Sequence, residues 1–202
     1  MAEHDIAKTE YPLKIEAEYY NRLNIEGFMQ MMKDPSFCYK YYWLEALVHL
    51  ISEGRIETNF NEVIDEMISN AWYSVLEFHI HLSGIGKDGV VKDGLERAVT
   101  KLHDISHLPA NASRVEIHNA IREHDDEIKR EKEQLTNMVP YRALAGFFAQ
   151  TADVVPWDSA KRITAYILEF NRRHITLPYV LGDSSRLKKE IHINPVWAEM
   201  IQ

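Results

Sequence analysis

Cysteine and long apolar runs are scarce in this chain of 202 residues, and its 23 basic residues are outnumbered by 31 acidic ones. Cys38 is the only cysteine, which excludes disulfide bonds within the chain and zinc clusters built from several thiolates. No apolar run approaches the ~20 residues that span a bilayer, and the N-terminal MAEHDIAKTE lacks the pattern of a secretory signal. The sequence therefore predicts a cytoplasmic protein without membrane contact.

The formal net charge of -8 argues against nonspecific coating of nucleic acid. The charge is unevenly distributed, however. Residues 1–150 contain 16 Lys and Arg against 25 Asp and Glu, whereas residues 151–202 contain 7 against 6. If the protein meets a phosphate backbone, we expect the contact in the C-terminal quarter.

Common catalytic motifs are missing too. The sequence has no G-x-x-x-x-G-K-[ST] phosphate loop, no G-x-G-x-x-G turn and no G-x-S-x-G nucleophile elbow. Most carboxylates fall on predicted solvated helix faces. Asp65 and Glu66 lie beside an apolar stripe, where we favour a solvated position over a buried acid pair. From its residues alone the chain is a helical scaffold with no assigned catalytic group.

Apolar residues at three- and four-residue steps predict two long helices in the first half. Ser36 can cap the first helix, and Gly54 is expected to end it in a left-handed conformation. Thr58 or Asn59 caps the second, which is predicted to continue unbroken over residues 60–82. Three side chains of this second helix are expected in the core: Trp72, Val75 and Leu76.

Two histidine pairs are candidate metal sites. His79 and His81 are spaced as H-x-H, and residues two apart on a helix point about 200° away from each other. They cannot then bind one ion; we expect His79 at the core edge and His81 outward. His103 and His107 would share a helix face, but Asp104 stands where a zinc hydrolase needs Glu. We therefore predict no metal site, and an independent metal hydrolase is the least favoured function.

A capping box of Ser113 and Glu116 opens a helix predicted over about residues 113–137. Apolar residues recur along it every seven positions, which we interpret as a charged arm or helical hairpin rather than a free-standing coiled coil. Its run EHDDEIKREKEQ is predicted to be solvated. The seam supplies candidate residues for a protein interface: Ile117, Ile121, Ile128 and Leu135.

The C-terminal part changes character. A helix starts near Ser159, and two short β-prone runs, ITLPYVL and KKEIHI, flank GDSSRL in the manner of a hairpin. Asn194 and Pro195 begin a last helical turn. The basic side chains of this part have two interpretations: ordinary surface charge or DNA contact. For DNA contact, we expect the hairpin to pack against the helix end so that five side chains form one patch: Arg172, Arg173, Arg186, Lys188 and Lys189.

These patterns predict a mainly α fold, an irregular multi-helix domain with a small β-hairpin near the C-terminus. We divide the chain into an N-terminal extension with a short helix (1–35), a helical core with a long charged helix (36–150), and a helix followed by the hairpin (151–202). The last part is expected to end at the start of a linker to a further module.

Four segments can also be considered together: CYKYYWLEALVHLISEGR at 38–55, FNEVIDEMISNAWYSVLEFHIHLSG at 60–84, EQLTNMVPYRALAGFF at 133–148 and LPYVLGDSSRLKKEIHINPVWAEMI at 177–201. In order and composition they resemble the N-terminal region of bacterial HNH endonuclease domain proteins. In that family an HNH module follows this region and uses one divalent metal to activate water for phosphodiester hydrolysis. His192 and Asn194 do not replace that module, so the resemblance implies no catalytic residue and no cofactor in this chain.

The resemblance implies a non-catalytic helical module of an HNH-type system that restricts foreign or phage DNA in bacteria. Its role would be DNA engagement, assembly or control of the nuclease, and its partners double-stranded DNA, another protein or further copies of itself. The alternative is a protein-interaction subunit of a multi-protein antiphage defence complex that makes no DNA contact. The seam residues favour the interaction, and the C-terminal basic residues favour DNA.

Overall fold

The structure is a computed structural model and describes residues 15–33, 38–82, 93–149, 151–174 and 177–202. The helices it contains are α1 (Ala17–Arg22), α2 (Ile25–Lys33), α3 (Tyr39–Ser52), α4 (Phe60–Leu76), α5 (Gly94–Ser106), α6 (Arg114–Glu123), α7 (Asp125–Thr136), α8 (Val139–Arg142), α9 (Ala145–Phe148), α10 (Ala160–His174) and α11 (Pro195–Ile201). The strands are β1 (Glu57–Asn59), β2 (Tyr179–Leu181) and β3 (Glu190–Ile193), with a 3-10 turn at Arg186–Lys188. The fold is therefore mainly α with a small antiparallel sheet near the C-terminus, as predicted. Among the described helices, none is both long and apolar enough to cross a membrane.

Helix α4 is the centre of the fold. It packs against α3, α5, α6 and α7, and its apolar face lies in one core that extends from Tyr19 to Ala198. Trp72 is buried as predicted, and its indole Nε1 donates a hydrogen bond to the carbonyl oxygen of Pro109 over 3.1 Å. Val75 is buried too, whereas Leu76 is only partly buried against the core. The packing of four helices around one explains why α4 carries the longest apolar stripe.

Local signals placed several helix ends correctly. Gly54 has φ 77° and follows α3, and the N–H of Arg55 donates to the carbonyl of Leu50, so the predicted left-handed cap is confirmed. The Asn59 side chain accepts from the N–H of Glu62 at the start of α4. The capping box of Ser113 and its partner is present at the start of α6. Ser36, the predicted cap before α3, lies outside the described residues.

The predicted continuous helix over residues 60–82 is wrong, because α4 ends at Leu76. His79 has φ 51° and is exposed, so it does not lie at the core edge. Glu96 on α5 accepts a hydrogen bond from the N–H of Leu82 over 3.1 Å and lies 2.7 Å from the Nδ1 of His81. Glu96 thereby holds the segment after α4 against α5, and this contact competes with further helical turns.

The predicted single helix over about residues 113–137 is also wrong, since His124 separates α6 from α7 with φ -113° and ψ 25°. Three acidic residues, Asp125, Asp126 and Glu127, form the first turn of α7, where negative charge suits the helix dipole. The predicted solvated run therefore contains a second helix start. Both helices pack on α4 and α5.

The sheet has the strand order β1-β3-β2, with both pairs antiparallel. Strands β2 and β3 are the predicted hairpin, in register Val180 with His192. Strand β1 was not predicted; it comes from the link between α3 and α4 and pairs Thr58 with Ile191. Three residues are too few to show the alternation of apolar and polar side chains that identifies a strand. Strand β1 forms because the backbone of β3 offers it a pairing partner.

A close helix crossing joins the N-terminal part to the core. Helix α2 packs against α9 at Gly146, where a Cβ atom would lie 2.4 Å from the backbone N of Met31 and 2.5 Å from the carbonyl oxygen of Gly27. Real Cβ atoms do not approach backbone atoms so closely, so only glycine permits this crossing.

Candidate functional site

A buried carboxylate on α4 is the centre of a polar cluster that joins three helices. Glu66 is 7% exposed and contacts the guanidinium of Arg114 on α6. The Nε2 atoms of His118 (α6) and His49 (α3) lie 3.3 and 3.8 Å from its two carboxylate oxygens. Arg114 also donates to Oδ1 of Asn70, one turn further along α4, over 2.8 Å. We call Glu66, Arg114, His118 and His49 the Glu66 cluster.

The surroundings of this cluster favour uncharged histidines. Burial lowers the pKa of His118 and of His49, and the nearby guanidinium of Arg114 lowers the pKa of both further because it opposes a second positive charge. Glu66 attracts a proton to each ring, but its charge is already balanced by Arg114. The cluster therefore contains one full ion pair flanked by two neutral imidazoles that can accept protons.

Asp65, beside Glu66, belongs to a second group of ion pairs. Lys132 of α7 is 0% exposed, and its Nζ lies 2.5 Å from Oδ1 of Asp65 and 2.6 Å from Oδ1 of Asp125. Burial raises the pKa of Asp65, and the attraction of Lys132 opposes that shift. A desolvated ammonium group needs such partners because an unpaired buried charge is costly. The expectation of a solvated position for Asp65 and Glu66 is therefore wrong.

Two clefts are lined by members of these ion pairs. The Glu66 cleft has a volume of about 580 Å³ and contains the Glu66 cluster. The second, the main cleft, has a volume of about 920 Å³ and lies between β1, the start of α4, α7 and the 3-10 turn. Glu62 lines both, so the two clefts are neighbours. Polar side chains dominate both walls.

The main cleft contains more acidic than basic side chains, but the acidic ones are all engaged. The pairs are Glu57 with His192, Glu62 with Arg55, Asp125 with Lys132, Glu133 with Arg186 and Glu190 with Ser184. Lys129 of α7 and Lys188 of the 3-10 turn also line this cleft. Within the described part of the chain, neither ammonium group has a hydrogen bond or an ion pair. Lys129 and Lys188 are therefore two cations without a partner in the described residues, and they reach this cleft from two different elements.

The predicted basic patch is divided among separate places. Arg186 and Lys188 line the main cleft, where Arg186 lies 3.4 Å from a carboxylate oxygen of Glu133. Lys189 is 7% exposed, and its Nζ donates to the carbonyl oxygen of Gly182 over 3.1 Å. Burial lowers the pKa of Lys189. Its ammonium group is used inside the hairpin, which removes Lys189 from the residues that could meet a phosphate.

Arg172 and Arg173 lie at the end of α10 and are both paired with Glu169, at 3.8 and 3.0 Å. Arg173 also approaches Asp153 at 4.0 Å and lines a different, smaller cleft. These pairs are exposed and of the ordinary surface kind, each contributing roughly 0–1 kcal/mol. The hairpin does pack on α10, but through β2 rather than through the basic turn.

The heptad-spaced residues proposed as a protein interface are buried in the chain's own core. Ile117 and Ile121 of α6 and Ile128 and Leu135 of α7 are each no more than 5% exposed. Their periodicity reflects packing of α6 and α7 on α4 and α5. A partner could not reach these side chains in the folded chain, so any protein interface must involve other residues.

The two histidine pairs occupy different kinds of position. His81 faces Glu96, while His79 is exposed, and the reason lies in the bend after α4 rather than in helical geometry. His103 packs its ring on Trp72, and His107 is the exposed left-handed cap of α5. Within the described ranges, no group of three His, Cys, Asp or Glu side chains is arranged to hold a metal ion.

Sequence reasoning did not single out the Glu66 cluster or Lys129. A local signal was present, since Arg114 and His118 are four residues apart on α6, and Glu66 and Asn70 are four apart on α4. Each pair forms a polar strip along one helix face. The periodicity does not show that the two strips face each other, because that depends on how α6 crosses α4.

No protein family model, curated protein or solved structure matches this sequence.

Proposed function

We propose that the chain is a helical module of an HNH-type DNA endonuclease system, in which it engages DNA through the main cleft and leaves phosphodiester cleavage to the HNH module. The family assignment rests on the four sequence segments described above. The DNA role rests on one structural observation: the unpaired cations Lys129 and Lys188 face one cleft from two different elements.

The chemistry of the main cleft suits phosphate groups. A lysine ammonium binds phosphate as a point charge, and Asn59, Asn61 and Ser185 add side chains that can donate hydrogen bonds. Three of the neighbouring carboxylates, those of Glu62, Asp125 and Glu133, repel phosphate less than free ones would, because each is paired with a basic side chain. Glu190 is hydrogen-bonded only to the uncharged Ser184, so its charge still opposes phosphate. The overall negative charge still opposes binding at long range, so we expect weak contact that depends strongly on salt.

A fluorescence anisotropy titration with a labelled DNA duplex at low salt tests this function. The variant Lys129→Gln/Lys188→Gln is expected to lose at least tenfold in affinity and to reduce the salt dependence by about one unit of slope per lysine. The matched control is Arg172→Gln/Arg173→Gln, which removes the same charge from a different surface. We expect the control to bind almost as well as the unsubstituted chain.

Two outcomes would contradict the assignment. Equal losses in both variants would mean that net charge, rather than the main cleft, determines binding. Absence of binding by the unsubstituted chain in low salt would remove the DNA role and leave the interaction-subunit function.

That second function has a structural observation of its own. Tyr73, Phe78 and Ile80 lie at and after the end of α4 with 48%, 64% and 44% of their surface exposed. Exposed apolar side chains grouped in this way are typical of contact surfaces. If the chain assembles through them, light scattering should show a mass that rises with concentration, and Phe78→Ser should keep the chain monomeric. A constant monomer mass for the unsubstituted chain would exclude self-assembly there.

A further inference from the structure

The Glu66 cluster is where α3, α4 and α6 are tied together by polar groups rather than by apolar packing. We propose that it is an acid-sensitive joint, which holds α6 against α3 and α4 at neutral pH and loosens when His49 and His118 take up protons. The inference is independent of the proposed function, because it concerns how the helices are attached and not what the clefts bind.

The charge balance of the joint depends on its histidines remaining neutral. Arg114 and the buried carboxylate of Glu66 cancel each other in direct contact. A proton on His118 adds a second cation beside Arg114, and the carboxylate of Glu66, 3.3 Å from the His118 ring, is already engaged by that guanidinium. His49 is less affected, since its Nε2 also lies 3.3 Å from the half-exposed carboxylate of Glu53. The larger penalty therefore falls on His118.

The other charged groups that face the two rings do not relieve this penalty. Asp65 and Glu53 both attract a proton to His118. Asp65 is held by Lys132 at 2.5 Å, and Glu53 is half-exposed, so water weakens its attraction. Arg122 opposes protonation of His118, and Arg55 opposes protonation of His49. Arg55 is itself paired with Glu62 at 2.5 Å, so Glu62 is not available to either ring.

The sign of the pH dependence follows from the lowered pKa of both histidines. In the unfolded chain a histidine titrates near its ordinary pKa of about 6.5, whereas in the folded chain it titrates at lower pH. Between those two values the unfolded chain binds more protons. The folded chain is therefore most stable above about pH 6.5 and loses stability as the pH falls through that window, by up to about tenfold in the unfolding equilibrium per pH unit per histidine.

Urea unfolding of the full chain, followed by circular dichroism at pH 7.5, 6.5 and 5.5, measures this dependence. The test variant is His49→Asn/His118→Asn, and the control is His79→Asn/His107→Asn, which replaces two exposed histidines. We expect the unfolding constant of the unsubstituted chain and the control to rise more steeply with acid than that of the test variant. Equal pH slopes in all three chains would refute the joint.

Hydrogen exchange on the unsubstituted chain provides a second measurement that needs no variant. After correction for the intrinsic pH dependence of exchange, amides of α6 should lose protection between pH 7.5 and 5.5, whereas amides of α10 should not. Uniform loss across both helices would mean that acid acts on the whole fold, and constant protection of α6 would mean that the joint does not open.

Discussion

The fully buried Lys132 is expected to contribute strongly to the stability of the fold. Replacing Lys132 with methionine keeps most of the side-chain volume and removes the charge. Asp65 then loses a partner at 2.5 Å and retains a hydrogen bond from the side-chain amide of Asn61 at 3.2 Å, with 17% of its side chain exposed. Asp125 loses the same partner but is 46% exposed, so water can replace it. The effect of Lys132→Met is therefore mainly the cost of leaving Asp65 buried and unpaired.

Removing one member of a buried ion pair costs about 3–5 kcal/mol. The remaining hydrogen bond and partial exposure of Asp65 place the expected loss at the lower end, at about 3 kcal/mol at pH 7. In urea this corresponds to a fall in the midpoint of roughly 1 M for a protein of this size. Far-UV circular dichroism is a suitable readout because the fold is mainly helical.

The loss should also depend on pH. Burial already raises the pKa of Asp65, and without Lys132 the folded-state value rises further above the unfolded one. The folded variant can then accept a proton that the unfolded chain does not hold, so acid relieves the penalty. The cost of Lys132→Met is expected in full above the folded pKa of Asp65 and should decrease as the pH falls below it.

Two further variants test whether the loss comes from the unpaired charge of Asp65. Asp65→Leu/Lys132→Met replaces both charges by apolar groups and should be close to neutral, because no unpaired charge remains near Asn61. Lys129→Met removes an exposed charge one turn earlier on the same helix and should change stability by less than about 0.5 kcal/mol. A loss below about 1 kcal/mol for Lys132→Met at pH 7, or an equal loss in the double variant, would show that the buried pair does not stabilise the fold in this way.

Two other substitutions test the packing. Trp72→Ala should cost about 3–5 kcal/mol in urea unfolding, because it empties a core position and leaves the Pro109 carbonyl without its donor; an unchanged midpoint would contradict the central place of α4. Gly146→Ala should cost more than Gly54→Ala, since the first places a Cβ against backbone atoms of α2 while the second meets open space and costs only about 1 kcal/mol for its positive φ. The reverse order would show that the crossing of α2 and α9 can widen.

Much of the fold follows from patterns that act over a few residues. The left-handed Gly54, the cap of Asn59, the capping box at Ser113 and the two strands of the hairpin were all predicted correctly. Each of these features depends on residues that are close in the sequence, through a local hydrogen bond or through the alternation of side chains along a strand. Such features form in nearly the same way whatever the rest of the chain does.

Apart from the local helix break at His124, the errors concern partners that are distant in the chain. Helix α4 ends early because Glu96 captures the segment after it, and β1 forms because β3 lies beside it, more than 130 positions later. The heptad pattern from Ile117 to Leu135 correctly identified apolar faces, but those faces pack inside the chain. Periodicity identifies which side of a helix is buried, and only the packing determines what covers it.

The candidate sites show the same division. Composition and position along the chain were enough to single out Arg186 and Lys188, which do line the main cleft. Their companion Lys129, and the burial of Asp65 and Glu66, became visible only in the tertiary structure. In water, an ionisable side chain has nearly the same pKa wherever it stands in the sequence. Inside a fold, its charge state and its accessibility to a ligand depend on the groups that other helices place beside it. In this chain, the sequence by itself determined the helices and the hairpin, and the crossings of α3, α6 and α7 over α4 decided which charges became buried pairs and which remained free to bind.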